Sequence, residues 1–294
     1  MKPPSFEYLA ATSIDQAVAA LAAGQGDAKI IAGGQSLMPM LNFRLLAPAM
    51  LIDINRVPGL AFIEAEGDGL RIGALTRHHA LETSDLVRSR FPVLSEAMAH
   101  VAHLAIRNRG TIGGSLCHAD PAAELPMMAM LLDATIIVAG CEKPREIAAR
   151  DFFAGALTTV LAEDELVTEI RLPGLPGLPG QTGWGFEEIA QRSGDFAIAA
   201  AAATLTMSGT TVREVRIAVM GVDETPRRVA EAEALLTGTD GSAGAIEAAA
   251  LAVRDAVDPM SDLHASADYR RHLARVLTQR VLMDAKRRAG GQTP

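Results

Sequence analysis

The stretch IIAGGQSLMPMLNFRL, residues 30–45, decides the fold of the N-terminal part of the chain. It places Gly33 and Gly34 directly after an apolar run that is typical of a buried strand. Glycine costs folding entropy, so a pair of glycines at the end of a strand needs a physical reason. One reason is a turn that requires a positive φ. The other is a group so close to the backbone that no Cβ fits.

The elements around this stretch predict a strand–helix–strand unit. Ser13 and Gln16 have the spacing of a capping box before apolar residues at helical period, and that helix ends near Gly24. The apolar runs at 29–32 and 50–54 are typical of strands. The double glycine therefore lies at the start of the connection between the strand at 29–32 and the strand at 50–54.

Farther along, the apolar pattern indicates further strands and helices, and the order of sheet first and helices later near the C-terminus predicts an α+β fold. Strands are predicted at 70–74, 135–140 and 165–173, and helices at 93–107 and 122–134.

The proline–glycine stretch at 173–183 is interpreted as a linker, which puts a domain boundary between residues 175 and 176. Beyond it, paired strands at 196–207 and 212–222 precede three helical segments, at 228–236, 245–257 and 269–288. The C-terminal domain is therefore expected to combine an antiparallel sheet with a helical tail.

Composition excludes several classes of function. The 294 residues are 49% hydrophobic and 21% charged, which is typical of a globular protein. A net charge of −8 without a basic run argues against a nucleic-acid partner. Cys117 and Cys141 are the only cysteines, so the chain cannot build a cysteine-ligated iron–sulfur cluster by itself. No apolar window is long enough to span a bilayer, and we expect a soluble, cytoplasmic protein without a resident metal.

A second segment, RGTIGGSLCHADPAAE at 109–124, repeats the glycine pair as Gly113–Gly114 and follows it with Ser115. Neither segment is a Rossmann fingerprint or a P-loop, since G-x-G-x-x-G and GK[ST] are both absent. Two ordinary tight turns would explain the glycines. The alternative is a pyrophosphate, which an acidic protein without a basic cluster would hold with backbone N–H groups and hydroxyls.

The two segments carry a resemblance to a known family. KIIAGGQSLMPMLNFRL (29–45) and RNRGTIGGSLCHADPAAELP (107–126) closely resemble the flavin-binding segments of the FAD subunit of molybdenum hydroxylases, the medium chain of the carbon monoxide dehydrogenase and xanthine dehydrogenase family. The resemblance covers essentially the whole chain. It implies a two-part FAD-binding domain of the vanillyl-alcohol oxidase/PCMH type, with parts at about 1–57 and 58–175, and a CO-dehydrogenase-flavoprotein-like α+β domain at 176–294.

The resemblance also implies which residues contact FAD. Those wrapping the pyrophosphate would be Ile30, Ile31, Ala32, Gly33, Gly34, Gln35, Ser36 and Leu37, faced by Thr111, Gly113, Gly114 and Ser115 in a second loop. Other contacts would come from Val101, Ala102, Glu124 and Leu166, and the position of His118 and Asp120 in the second segment makes them further candidates. No catalytic acid, base or nucleophile is expected.

Several of these side chains have other interpretations. Asp120 before Pro121 has the pattern of a helix N-cap, with a ribose or adenine contact as the alternative. Trp184 and Phe186 would either shield the flavin or fill a core between domains. His78, in a loop or helix start, is expected at the surface.

The function implied is electron transfer. A large partner subunit with a molybdenum pterin cofactor would oxidise the substrate, and a small partner with two [2Fe–2S] clusters would pass electrons to this FAD and on to an external acceptor. A dimer of heterotrimers is expected, and the motif wording favours an N-heterocycle substrate. Two alternatives are a free-standing flavin oxidase of the vanillyl-alcohol oxidase fold and a cofactor-free assembly subunit.

Gly114→Val is expected to abolish FAD retention while leaving the fold largely intact, because two branched methyl groups would occupy space reserved for phosphate. Fluorescence titration of the purified variant with FAD measures this. Unchanged affinity would show that the second segment does not contact the cofactor.

Overall fold

The polypeptide begins with a three-stranded parallel sheet in the order β1–β3–β2. The computed structural model describes residues 2–175 and 181–290. The elements of this first unit are β1 Glu7–Ala10, α1 Ile14–Ala23, β2 Ala28–Ile31, α2 Leu37–Asn42 and β3 Met50–Asp53. The Ser13 hydroxyl accepts the Gln16 N–H at 3.1 Å, and Gln16 Oε1 accepts the Thr12 N–H at 2.8 Å. The predicted capped helix and strand–helix–strand start are confirmed.

A five-stranded antiparallel sheet in the order β4–β5–β10–β6–β7 forms the second unit. Its strands are β4 Ile63–Glu66, β5 Gly69–Gly73, β6 Thr135–Ala139, β7 Arg145–Ala148 and β10 Leu166–Leu172, and a small hairpin joins β8 Phe153–Gly155 to β9 Thr158–Thr159. The strands predicted at 70–74, 135–140 and 165–173 are confirmed as β5, β6 and β10.

Helices fill the connection between β5 and β6 and cover the five-stranded sheet. They are α3 His78–Thr83, α4 Asp85–Arg90, α5 Pro92–His100, α6 Leu104–Arg107, α7 Ile112–His118 and α8 Glu124–Leu131. The helix predicted at 122–134 is confirmed as α8.

The single helix predicted at 93–107 is wrong, because the chain breaks between α5 and α6. Ala102 adopts a left-handed conformation, with φ 43°. The Arg107 guanidinium donates to the carbonyl oxygens of Val101 at 2.9 Å and Ala102 at 2.8 Å. A charged donor thus stabilises carbonyl groups that the end of α5 leaves without helical partners.

The C-terminal unit is a four-stranded antiparallel sheet in chain order, packed against helices. Its elements are β11 Thr182–Ala190, β12 Ala197–Ser208, β13 Thr211–Met220, β14 Arg227–Arg228, α9 Ala230–Leu236, α10 Ala243–Ala256 and α11 Ala267–Ala289. The paired strands and the three helices are confirmed, and Gly209, with φ 60°, lies in the turn between β12 and β13. Residues 176–180 of the proposed linker at 173–183 lie outside the described residues. Among the described helices, none combines the length and apolar character needed to cross a bilayer.

The alanine-rich strand β12 lies between two cores. Ala200 and Ala202 belong to the core shared with the second unit, whereas Ala199, Ala201 and Ala203 belong to the core beneath α10 and α11. Small side chains on both faces let helices pack closely on the sheet, which explains why the chain is rich in alanine and poor in aromatic residues.

On strand β11 even a methyl group has no space. A Cβ on Gly185 would lie 2.3 Å from the Val281 carbonyl oxygen, and one on Gly183 would lie 1.8 Å from that of Ala285. The backbone of α11 therefore rests directly on the glycines of β11, and it positions the strand that carries Phe186 and Glu188.

Gly185→Ala is expected to lower the free energy of unfolding by about 1–3 kcal/mol, because the new methyl group must push α11 away from the sheet. Urea denaturation followed by circular dichroism measures this. Gly244→Ala, in α10 where nothing lies within 4 Å of the new Cβ, is the control and should be neutral or stabilising. Equal midpoints for both variants would contradict the close packing of α11 on β11.

Candidate functional site

The two glycine segments meet in the structure. A Cβ on Gly33 would lie 2.4 Å from the Arg109 carbonyl oxygen and 2.9 Å from the Gly110 Cα. These distances are shorter than a Cβ contact allows, so only glycine fits at position 33 unless the second segment moves. The explanation by close approach is therefore right for Gly33, and the approaching group is protein backbone.

Two polar side chains hold the segments together. Asn55 Nδ2 donates to the Ala32 carbonyl oxygen at 2.8 Å, and Asn55 Oδ1 accepts from Arg77 Nη2 at 2.7 Å. Arg77 Nη1 then donates to the Arg109 carbonyl oxygen. This chain of hydrogen bonds, which we call the Asn55–Arg77 bridge, runs from the first segment to the second.

Neither residue of the bridge was predicted from the sequence. Asn55 follows β3, and parallel strands place their carboxyl ends at one edge of a sheet, which is where open α/β sheets bind ligands. That signal was present in the sequence. The sequence contained no such signal for Arg77, because this residue belongs to the second unit and reaches the edge of the first sheet only in the folded protein. A positively charged side chain therefore lies at a site for which we expected only backbone N–H groups and hydroxyls.

The first segment forms a concave turn. Gly34 has φ +72°, and the nearest atom to a Cβ built on it, Met38 Cγ, lies 3.4 Å away. Positive φ, rather than close approach, therefore explains the second glycine. Within residues 2–175 and 181–290, the N–H groups of Gly34, Gln35 and Ser36 make no hydrogen bond. Consecutive N–H groups in such a turn form an anion-binding concavity.

The second segment is a helix start, so the expected second loop is wrong. The Thr111 hydroxyl accepts the Gly114 N–H at 3.2 Å, as an N-cap does. The Ile112 and Gly113 N–H groups donate to the carbonyl oxygens of Thr76 at 3.1 Å and Ala74 at 2.9 Å. Amides of the second segment are thus already bonded, and what α7 offers an anion is the positive end of its dipole.

The glycines of α7 have different roles. A Cβ on Gly113 would lie 2.7 Å from the Ala74 Cβ, so this glycine allows α7 to pack on the end of β5. Gly114 is exposed, and the one atom near a Cβ built there is Thr111 Oγ1, at 2.8 Å. Gly114 is therefore the second-segment glycine that leaves open space toward a ligand.

His78 is buried, so the expectation that it lies at the surface is wrong. Its ring packs against the second segment, since a Cβ on Gly110 would lie 2.8 Å from His78 Cε1. Burial lowers the pKa of His78 to about 4, so its imidazole is neutral near pH 7. His78 supports the backbone at Gly110, which in turn contacts Gly33.

Asp120 does not start a helix, contrary to the prediction. Its Oδ1 accepts the Ala122 N–H at 2.9 Å in a turn, and α8 begins at Glu124 instead. Glu124 is buried at the first position of that helix, and burial raises the pKa of its carboxyl to about 7.

The remaining candidates are spread around this centre. Val101 is buried and lies with Ala102 at the break after α5. His118 ends α7, while Leu166 is buried in the apolar cluster that also holds Ile54. The β2 strand and the start of α2 contain the other members of the first segment, namely Ile30, Ile31 and Leu37.

The aromatic residues after the linker lie in the core between domains. Phe186 is buried there, with its ring centroid 4.9 Å from that of His100. Trp184 lies beneath the Arg288 guanidinium, 3.6 Å from it. Of the two interpretations of these residues, the domain-junction core agrees with the packing.

Comparison with known proteins identifies the family. A family model for the FAD binding domain in molybdopterin dehydrogenase matches residues 4–175, and one for the CO dehydrogenase flavoprotein C-terminal domain matches 184–285. This chain belongs to the FAD-binding medium subunits of molybdenum hydroxylases. The predicted family, two-domain α+β fold and FAD cofactor are thereby confirmed.

Individual medium subunits are similar over nearly their full length. The 6-hydroxypseudooxynicotine dehydrogenase complex subunit alpha of Paenarthrobacter nicotinovorans is 45% identical over 98% of this chain and 97% of its own. A chain of carbon monoxide dehydrogenase from Hydrogenophaga pseudoflava is 40% identical with a TM-score of 0.95, covering 98% of this chain and 99% of that one. A chain of quinoline 2-oxidoreductase from Pseudomonas putida 86 is 39% identical with a TM-score of 0.93, covering 99% and 100%.

The residues of this medium subunit fit FAD. Unbonded N–H groups at 34–36 suit a pyrophosphate, which accepts several hydrogen bonds at once. Arg77 and the N-terminus of α7 add positive potential beside them. Gly114 is an exposed residue of that helix.

Arg77→Ala is expected to weaken FAD binding by about 10-fold or more, because it removes charged hydrogen bonds that join the two segments, each worth about 1.5–3 kcal/mol. Fluorescence titration gives the affinity. Arg88→Ala is the matched control, since the Arg88 guanidinium forms an exposed ion pair with Asp85 at 2.9 Å. If both variants bound FAD as the wild type does, the Asn55–Arg77 bridge would have no role in cofactor binding.

Proposed function

We propose that this medium subunit binds FAD at the junction of its two glycine segments and passes electrons from the [2Fe–2S] clusters of a partner subunit to an external acceptor. FAD accepts one or two electrons, so it connects one-electron clusters with a two-electron acceptor. The observation that supports this most is the concave set of N–H groups at 34–36 beside the N-terminus of α7.

In this proposal the chain positions the cofactor and supplies no catalytic group. Gly34, Gln35 and Ser36 would donate N–H groups to the pyrophosphate, and Gly114 would leave space for it. Ser115, in the first turns of α7, would add a hydroxyl donor. Val101 and Ala102, at the break after α5, would lie against the flavin or its linker.

The proposed assembly is a dimer of heterotrimers in the cytoplasm. The large partner would hold the molybdenum pterin cofactor and oxidise the substrate, and the small one would hold two [2Fe–2S] clusters. We propose an N-heterocycle as the substrate. Names of relatives support this choice, since nicotine 6-hydroxylase medium subunit of Paenarthrobacter nicotinovorans is 39% identical over 97% of this chain.

The full chain, purified alone, is expected to be yellow and to release FAD on denaturation, because the cofactor is held by this chain's own backbone groups. Co-purification with a larger and a smaller partner carrying molybdenum and iron would support the assembly. In that complex, an N-heterocycle substrate should reduce the flavin, measured by its absorbance in a stopped-flow instrument.

Other outcomes would contradict the proposal. A colourless chain that cannot be reconstituted with FAD would favour an assembly subunit. Turnover of a small alcohol or phenol by the isolated chain would favour a free-standing flavin oxidase.

A further inference from the structure

Three titratable side chains from different elements meet where the C-terminal sheet packs against the FAD-binding domain. His100 ends α5, Glu124 begins α8, and Glu188 lies on β11. His100 Nδ1 is 3.5 Å from Glu188 Oε1. Glu124 interacts electrostatically with both. We call these three residues the junction cluster.

The two carboxylates are almost completely enclosed. Only 6% of the Glu188 side chain and 8% of Glu124 are exposed. Within the described residues, Glu188 Oε2 has no hydrogen-bond partner. A buried carboxylate oxygen without a partner is costly when ionised, so a proton bound in this cluster relieves an unfavourable charge.

Two members of the junction cluster are close in the chain to residues proposed to contact the cofactor. His100 immediately precedes Val101 and Ala102, where the chain breaks toward that site. Glu124 follows α7 in the second glycine segment. Phe186, two residues before Glu188 and on the same face of β11, packs against the His100 ring.

We propose that His100 and Glu124 exchange protons beside the enclosed Glu188 side chain, and that the junction cluster takes up one proton from solvent when electrons reach the adjacent cofactor. This inference rests on the proposed function, which places FAD at this site. Added negative charge makes a nearby ionised carboxylate less favourable, so the cluster binds a proton in response.

The proton balance is simple. Electrons come from the iron–sulfur clusters of the partner and remain on the cofactor. The proton comes from water through His100, whose side chain is 41% exposed. The proton ends on a carboxylate oxygen of the cluster, with which it forms an O–H bond. It returns to water when the acceptor removes the electrons.

Protonation of the cluster is poised near neutral pH. Burial, followed by the charge of Glu188, raises the pKa of Glu124 to about 7. The hydrogen bond with Glu188 raises the pKa of His100. Other charged groups facing the cluster are Glu96 on α5 and Asp120 before α8.

Glu96 in turn faces two residues of α11. Arg288 lowers its pKa and Asp284 raises it, although burial is the larger effect and leaves the pKa raised overall. The surroundings of the cluster are therefore predominantly acidic, which favours uptake of a proton.

The test compares the wild type with variants of the full chain, each loaded with FAD. The quantity compared is the number of protons taken up per two electrons. The midpoint potential of the flavin, measured by spectroelectrochemistry from pH 5.5 to 8.5, gives this number through its slope against pH. Glu188→Gln is expected to take up fewer protons than the wild type around pH 7, by up to about one per two electrons, because a neutral amide in place of this carboxylate cannot raise the pKa of Glu124. Superimposable slopes would overturn the proposal.

Glu187→Gln is the matched control. Glu187 is the neighbour of Glu188 on β11, points to the opposite face, and pairs with Arg280 of α11 at 2.5 Å. Its variant should keep the wild-type slope; a loss equal to that of Glu188→Gln would also overturn the proposal.

If Glu188→Gln loses FAD, His100→Gln carries the comparison, because it removes a titratable member of the cluster, and it is expected to change the number of protons taken up per two electrons. A wild-type chain that binds no FAD would instead contradict the proposed function itself.

Discussion

The contact between the backbone at Gly33 and the backbone at Arg109–Gly110 is the constraint on which the site depends. It joins the parallel sheet of the first unit to the helices of the second at a distance that no side chain permits. The Asn55–Arg77 bridge and the buried ring of His78 stabilise the same contact from either side. The contact therefore brings the segment that carries the N–H groups of residues 34–36 against the segment in which α7 begins.

The C-terminal domain serves this site through close packing. Glycines on β11 let α11 rest on the strand, and alanines on β12 fill two cores with little volume. Because β11 is held so closely, Phe186 and Glu188 are fixed against the end of α5. The electrostatic environment of the junction cluster therefore depends on residues that have no role in binding phosphate.

The regular elements were predicted best where a regular spacing of apolar residues extended over the whole element. The strands β5, β6, β10, β12 and β13 and the last three helices were all predicted. The helix at 93–107 was predicted wrongly, because apolar spacing continues through Ala102 while the backbone does not. The α7 helix was not predicted, because its two glycines have low helix propensity. In the structure, Thr111, Ala74 and Thr76 accept hydrogen bonds from the first N–H groups of α7, and these bonds compensate for the low propensity.

The sequence by itself determined that two segments contain a glycine pair and that a serine comes shortly after each pair. It also determined that the chain resembles FAD-carrying medium subunits. Those are properties of residues close together in the chain. Only the tertiary structure decided why each glycine is needed, which amides remain unbonded, and that Arg77, His78 and Glu188 belong near the site. Such facts depend on contacts between residues distant in sequence, which local patterns do not encode.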